Sequence, residues 1–416
     1  MCDLLVVFED HILIFSDKYI KFPNTGDLDT DWARWVRKAI LNSGKQLSGA
    51  ERWIKDHPNQ LFIDHACKQS FPINLPEMAK AKFHRIIVAH GASERCISEL
   101  GGSGSLMLIS TIIGDNHLKK RSDGGIPFAV GQINPDCGFF HILDDTSLNI
   151  LISTLDTISD FTSYLEKKEL LFSNRKSIFA AGEEELLAVY LGDINHKKEH
   201  DFIFDEHLDG ISIDQGFWER FITSNDRKSQ VKANRDSYAW DSLIERFTTH
   251  ILNGTQYFHY PPEPCHQERI LRFLAREPRT RRRLLVRTLF ELMKRPATQK
   301  WVNLIAPSNS GDPYYIFLIL PRLGKILEID YREIRMNLLY SYCLVLKKEF
   351  TEAQDIIGIA TEPGNEELRS EDLVFYDARN WTVEIENEAI RLQQELGLLN
   401  KMQKFKSQEN EYPNEK

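Results

Sequence analysis

"CDLLVVFEDHILIFSDK", Cys2 to Lys18, sets two apolar runs around the polar Glu9-Asp10-His11 and carries charge at its ends, on Asp3, Asp17 and Lys18. Two such runs around a short polar break predict a β-hairpin. A turn at Glu9-Asp10 sets Val7 opposite Ile12, Leu5 opposite Ile14 and Asp3 opposite Ser16. A turn at Asp10-His11 sets Asp3 opposite Lys18 instead. In either register, alternation puts Asp3, Ser16 and Lys18 on one face and Asp17 on the other. A bulge or a three-residue loop exchanges Asp17 for Ser16 and Lys18. Both faces are apolar through the middle, which predicts a central strand pair in a sheet covered on both sides.

A carboxylate and a lysine on one face at a sheet end are the parts needed to cut a phosphodiester. The carboxylate holds Mg2+, which polarises the phosphate and lowers the pKa of a bound water. The lysine orients that water or neutralises the developing oxyanion. The plainer alternative is a buried strand pair whose charged ends sit in solvent.

The remaining chain sets the frame. Its 416 residues suffice for two or three domains, and 42% apolar with 27% charged residues describes a soluble globular protein. A net charge of -9 excludes a surface coated in positive charge but not a local basic groove. Six scattered cysteines without a C-x-x-C pair speak against a zinc knuckle and for reduced thiols in the cytoplasm. No apolar run is long enough to span a bilayer, and the N-terminus lacks the basic start of a secretory signal.

Four regions are expected: an α/β domain over 1–145, a mostly helical middle over 146–264, a C-terminal α/β domain over 265–400 and a disordered tail over 401–416. In the first, Trp32 to Lys55 reads as a helix ended by Pro58, "FHRIIVAHG" as a buried strand, and "IPFAVGQI" with "GFFHILDD" as a strand pair. "PPEP" at Pro261 to Pro264 reads as a linker. A basic helix from His266 to Arg295 follows, then alternating strands and helices.

The order of Asp, tight turn and x-x-Lys at the end of the next strand, then a helix bearing Lys45-Gln46 and the strand "RIIVA", resembles the PD-(D/E)xK nuclease superfamily and its nuclease-related group. The resemblance covers roughly residues 1 to 145. It implies a restriction-endonuclease-like mixed sheet flanked by helices and Mg2+-dependent hydrolysis, most simply of DNA. It assigns metal binding to Asp3, water activation to Lys18 and a positioning role to Gln46. Two departures stand out. Ser16 occupies the place of the motif Glu, leaving Asp17 as a second metal ligand only if a bulge turns it inward. Such folds also carry a helix and a strand before the metal-binding Asp, so an N-terminally shortened form is expected. A non-catalytic nucleic-acid- or protein-binding module with a degenerate nuclease fold is the alternative.

Beyond the hairpin, the basic helix places Arg279, Arg283 and Arg287 on one stripe and Arg269, Arg272 and Arg276 on another. Such a ridge suits phosphate-backbone binding, and an acid-paired helix face is the competing reading. His196 and His200 in "HKKEH" lack apolar surroundings and read as a polar surface loop. "GGSGS" lacks the P-loop ending and reads as a turn. Glu183 to Glu185 read as an exposed acidic first turn of a helix.

Overall fold

A computed structural model describes residues 2–174, 177–205, 207–255, 264–322, 324, 326–364, 370–403 and 409–413. The chain is mixed α/β and divides into two compact units, Met1–Arg227 and Lys228–Lys416. The division falls inside the stretch read as a helical middle. Most of the proposed linker, residues 261–263, and tail residues 404–408 and 414–416 lie outside the described residues. Among the described residues, no helix is long and apolar enough to cross a membrane.

The first unit opens with β1 (Leu4–Phe8) and β2 (His11–Tyr19), antiparallel with Val7 opposite Ile12 and Leu5 opposite Ile14. The turn is therefore Glu9-Asp10, with Glu9 at φ 51°. Helix α1 (Leu28–Val36) starts on Asp27, whose carboxylate accepts the Asp29 N–H. One π-helical turn, Arg37–Leu41, leads into α2 (Asn42–Asp56). The helix read from Trp32 thus begins earlier and changes pitch midway. Gly44 sits inside α2 because a Cβ there would lie 2.4 Å from Ile133 Cδ1, which packs against the helix.

Then come β3 (Lys82–His90), α3 (Ser93–Leu100), β4 (Met107–Ile113), β5 (Ala129–Gln132), β6 (Phe140–Leu143), α4 (Asp145–Thr154), α5 (Ile158–Asn174), β7 (Ser177–Ala180), α6 (Glu183–Gly192) and β8 (Gly210–Ile213). Two four-stranded mixed sheets result, ordered β1-β2-β3-β6 and β5-β4-β7-β8. Strands β2, β3 and β6 run parallel, with His11 opposite Lys82 and Tyr19 opposite His90. Of the two hairpin strands, β2 is interior and β1 is an edge. β1 pairs on one side and leaves Leu4 53% exposed, so the pair is not central as expected. Nor do "IPFAVGQI" and "GFFHILDD" pair: β5 joins β4 while β6 joins β3.

The first sheet is covered on both faces. Ile12 and Ile14, with Ile87 and Ala89, pack toward Trp32, Trp35, Ile40 and Leu47 of the α1–α2 side. Leu13, with Ile86, Val88 and Leu143, packs toward Leu151, Tyr164, Leu165 and Leu187 of α4 to α6. Alternation therefore sends even-numbered β2 residues to α2 and odd-numbered ones to α5.

In the second unit, α9 (Tyr238–Asn253), α10 (Pro264–Arg276) and α11 (Arg279–Met293) follow two shorter helices, α7 (Phe217–Thr223) of the first unit and α8 (Asn225–Asn234) at the division. The single basic helix expected is two, because Pro278 caps α11 and interrupts the run. Strands β9 (Trp301–Ile305), β10 (Tyr314–Ile319), β11 (Asp355–Thr361) and β12 (Asp372–Asp377) form a sheet ordered β12-β11-β10-β9, with β10 and β11 parallel. Helices α12 (Glu328–Glu349) and α13 (Val383–Leu396) complete the unit. Tyr315, Phe317 and Ile319 face a core with Trp240, Leu274 and Leu285, while Tyr314, Ile316 and Leu318 face Leu339, Cys343 and Leu346.

Candidate active site at the end of the hairpin

The pairing ends at Leu4–Phe15, one residue short of Asp3 and Ser16. The Asp3 N–H donates to Phe15 O at 2.9 Å, and its exposed carboxylate accepts the Asp17 N–H at 2.9 Å. Ser16 is fully buried under α2, with its Oγ 3.5 Å from Gln46 Oε1. Lys18 follows at the next position of that face, half-buried. The structure thus joins Ser16 with Gln46 and Asp3 with the backbone of Asp17, and it seats Lys18 just past Ser16. No bulge interrupts the pairing from Leu4–Phe15 to Phe8–His11, so Asp17 stays on the opposite face.

There Asp17 meets a group the sequence reading missed. Its Oδ1 lies 2.9 Å from His90 Nε2, and His90 Nδ1 lies 2.5 Å from Asp145 Oδ1. The other Asp145 oxygen accepts the Gly91 N–H at 3.1 Å and the Ser93 hydroxyl at 3.2 Å. Burial would raise the Asp145 carboxyl, but the Gly91 N–H and His90 hold it below the usual carboxylate range. Gly91 turns the chain at φ 99°, where a Cβ would come within 2.5 Å of Ile20 O. Asp17, His90 and Asp145 sit at or just beyond the carboxyl ends of β2, β3 and β6. That is where open α/β sheets place ligands. The positional signal was a polar residue at the end of each parallel strand, legible only once the strand order is known.

The fit of the hairpin end to Mg2+ is minimal. Mg2+ is usually held by one or two carboxylates together with water and substrate phosphate oxygens. Asp3 supplies one; Ser16 brings a hydroxyl directed at Gln46, and the Asp17 carboxylate is taken by His90. Among the described residues, no group of three or more His, Cys, Asp or Glu ligand atoms includes Asp3 or Asp17.

The arginines of α11 do not form the expected ridge. Arg279 is buried and pairs with Asp241 at 2.6 Å, beside Arg282 on the same carboxylate. Arg283 is buried against Asn410 O, Glu411 O and the Glu411 carboxylate at 3.0 to 3.1 Å. Arg287, 47% exposed along its side chain, meets Glu409 at 2.6 Å. The helix is turned inward by Leu284, Leu285, Val286, Leu289 and Leu292, so its guanidinium groups meet internal acids. The C-terminal residues read as part of a disordered tail supply two of those acids.

Glu183, Glu184 and Glu185 are likewise buried, contrary to the exposed turn expected. Each carboxylate has its own partner: Lys168 and Tyr164 for Glu183, Ser103 of the Gly101–Ser105 turn for Glu184, and the Gly216 and Trp218 N–H groups for Glu185. The His196–His200 stretch is a surface turn closed by an Ile194–His200 bridge.

Comparison with protein-family models, curated proteins and solved structures finds no match to this chain.

Proposed function

We propose that the first unit is a Mg2+-dependent phosphodiesterase of nuclease type, acting on DNA in the cytoplasm at the end of the β1–β2 hairpin. The observation that carries this reading is the hairpin end itself: Asp3, anchored to Phe15 O and the Asp17 N–H, lies beside the stretch of β2 where Ser16 meets Gln46 and Lys18 follows. Asp3 would hold the metal with water and phosphate oxygens. Bound there, Mg2+ supplies Lewis-acid polarisation of the phosphate. Lys18 is the next residue on that face past Ser16 and neutralises charge developing on phosphate oxygens. Gln46 contacts Ser16 and fixes the floor beneath them.

One observation favours a second reading, a DNA-binding module without catalysis: the position facing Gln46 is a buried hydroxyl where a second carboxylate would complete the metal site. The two readings separate in one experiment. The full chain is incubated with supercoiled and linear DNA, with and without Mg2+, and binding is followed by fluorescence anisotropy. Cleavage that requires Mg2+ and is lost in Asp3→Asn and Lys18→Met supports the phosphodiesterase. Binding without cleavage supports the module. Neither binding nor cleavage overturns both.

A further inference from the structure

His11, His84 and His141 line the start of the three parallel strands, on the face opposite Ser16 and Lys18. Leu13 of β2 pairs with His84 and Ile86 of β3 with His141, which sets the two deeper imidazoles on neighbouring strands. Both are buried, at 2% and 0% exposure. Across them α5 presents Glu166 and Glu169, three residues apart and so on one helix face. Glu169 Oε1 lies 3.1 Å from His141 Nε2 and 3.8 Å from His84 Nδ1.

His84 Nδ1 is buried and has no hydrogen-bond partner. A buried polar atom left unmade costs about 1–3 kcal/mol and calls for a reason. Its other nitrogen, Nε2, lies 2.9 Å from His11 Nδ1. If Nε2 carries the proton and donates it to His11, the Nδ1 lone pair of His84 points toward Glu169. The set offers two imidazole nitrogens and one carboxylate oxygen within reach of one another.

We propose that His84 Nδ1, His141 Nε2 and Glu169 form a binding site for a divalent transition metal of the zinc class, with His11 orienting His84 from behind. Ligand atoms held about 2.0–2.1 Å from a tetrahedral ion stand about 3.4 Å apart. The two observed separations bracket that value, so small side-chain adjustments admit the ion. Two nitrogen donors select zinc, cobalt or nickel over magnesium or calcium. A neighbour's hydrogen bond that fixes the ligand tautomer is the usual support for a metal-bound imidazole. The nearby cations are already engaged: Lys168 with Glu183, and Lys82 with Glu166 at 2.6 Å. Six residues along β2 or β3 separate this site from the hairpin end, about 20 Å at strand rise. The site is therefore independent of the proposed phosphodiesterase chemistry. Its effect would be to clip α5 onto the sheet.

The test is cobalt titration of the chelator-stripped full chain, read by visible absorption and calorimetry. One equivalent of Co2+ with the intense bands of a four-coordinate ion, displaced by Zn2+, is expected. Glu169→Gln and His84→Asn, each checked for folding by circular dichroism, should weaken uptake at least tenfold. The His196→Ala/His200→Ala double variant should leave it unchanged. If His84→Asn does not fold, Glu169→Gln alone decides. Absence of saturable uptake overturns the proposal. So does uptake unchanged by Glu169→Gln, or uptake lost with the surface histidines.

Discussion

Replacing Arg279 by Ala should destabilise the second unit rather than alter DNA binding. The guanidinium is buried, ion-paired with Asp241 at 2.6 Å, donates to the fully buried Ser237 hydroxyl at 3.2 Å and lies 4.3 Å from the Tyr238 ring centre. A hydrogen bond to a charged partner contributes about 1.5–3 kcal/mol and a cation–π contact about 0.5–1 kcal/mol. Asp241 keeps Arg282, so no carboxylate is orphaned and the full penalty of an unpaired buried charge does not apply. The expected loss is about 2–4 kcal/mol, a fall in midpoint of roughly 5–15 °C for a unit of this size. Arg287→Ala is the internal comparison. Its side chain is 47% exposed, and its pair with Glu409 should contribute less than about 1 kcal/mol. Urea-dependent hydrogen exchange, read on α9 and α11 peptides, measures both in the full chain. An Arg279→Ala variant within about 0.5 kcal/mol of the parent, or one no more affected than Arg287→Ala, would refute the reasoning.

Arg335→Ala should be more severe, about 3–5 kcal/mol by the same exchange measurement. The guanidinium is fully buried between Asp372 at 2.6 Å and Glu362 at 2.9 Å, and Glu362 has no other cation at hand among the described pairs. Gly91→Ala should lower the denaturation free energy of the first unit by about 2 kcal/mol or more, because φ and the Ile20 carbonyl both oppose a side chain there; an unchanged urea midpoint would contradict that. Burial raises the Cys96 thiol from 9.0 to about 11, so mass-spectrometric mapping after brief iodoacetamide treatment at pH 8 should find Cys67, which is exposed, labelled and Cys96 not. The same shift has a sign. Below pH 9 both states keep the proton; between pH 9 and about 11 the unfolded chain ionises first, and stability falls as pH rises.

The hairpin was legible because its information is local. The period-2 pattern and a two-residue turn are enough to derive the register that sets Leu5 against Ile14 and Val7 against Ile12. Gln46 was legible for a similar reason, since one helix connects β2 to β3 and must cross them. His90 and Asp145 were not, because three strands distant in sequence must first be ordered before their ends coincide. The histidines at 11, 84 and 141 were hidden in the same way, each in or beside an apolar run and far apart in the chain. The α11 arginines misled because the acids that neutralise them, Asp241, Glu409 and Glu411, lie roughly 40 or more than 120 residues away. Composition within a window reports charge but not its partners. The break at Pro278, by contrast, was visible in the sequence and should have divided the basic helix.

The hold of Asn410 and Glu411 on Arg283 also carries a time. The partners are separated by 127 and 128 residues. At about 5–20 residues per second, translation makes the arginine roughly 6–25 s before its acid. Through that interval a guanidinium destined for the interior has no native counter-charge. The second unit therefore closes only after Asn410 and Glu411 have been made. A chain released short of Asn410 should leave α11 open to protease, and one released beyond Glu411 should protect it.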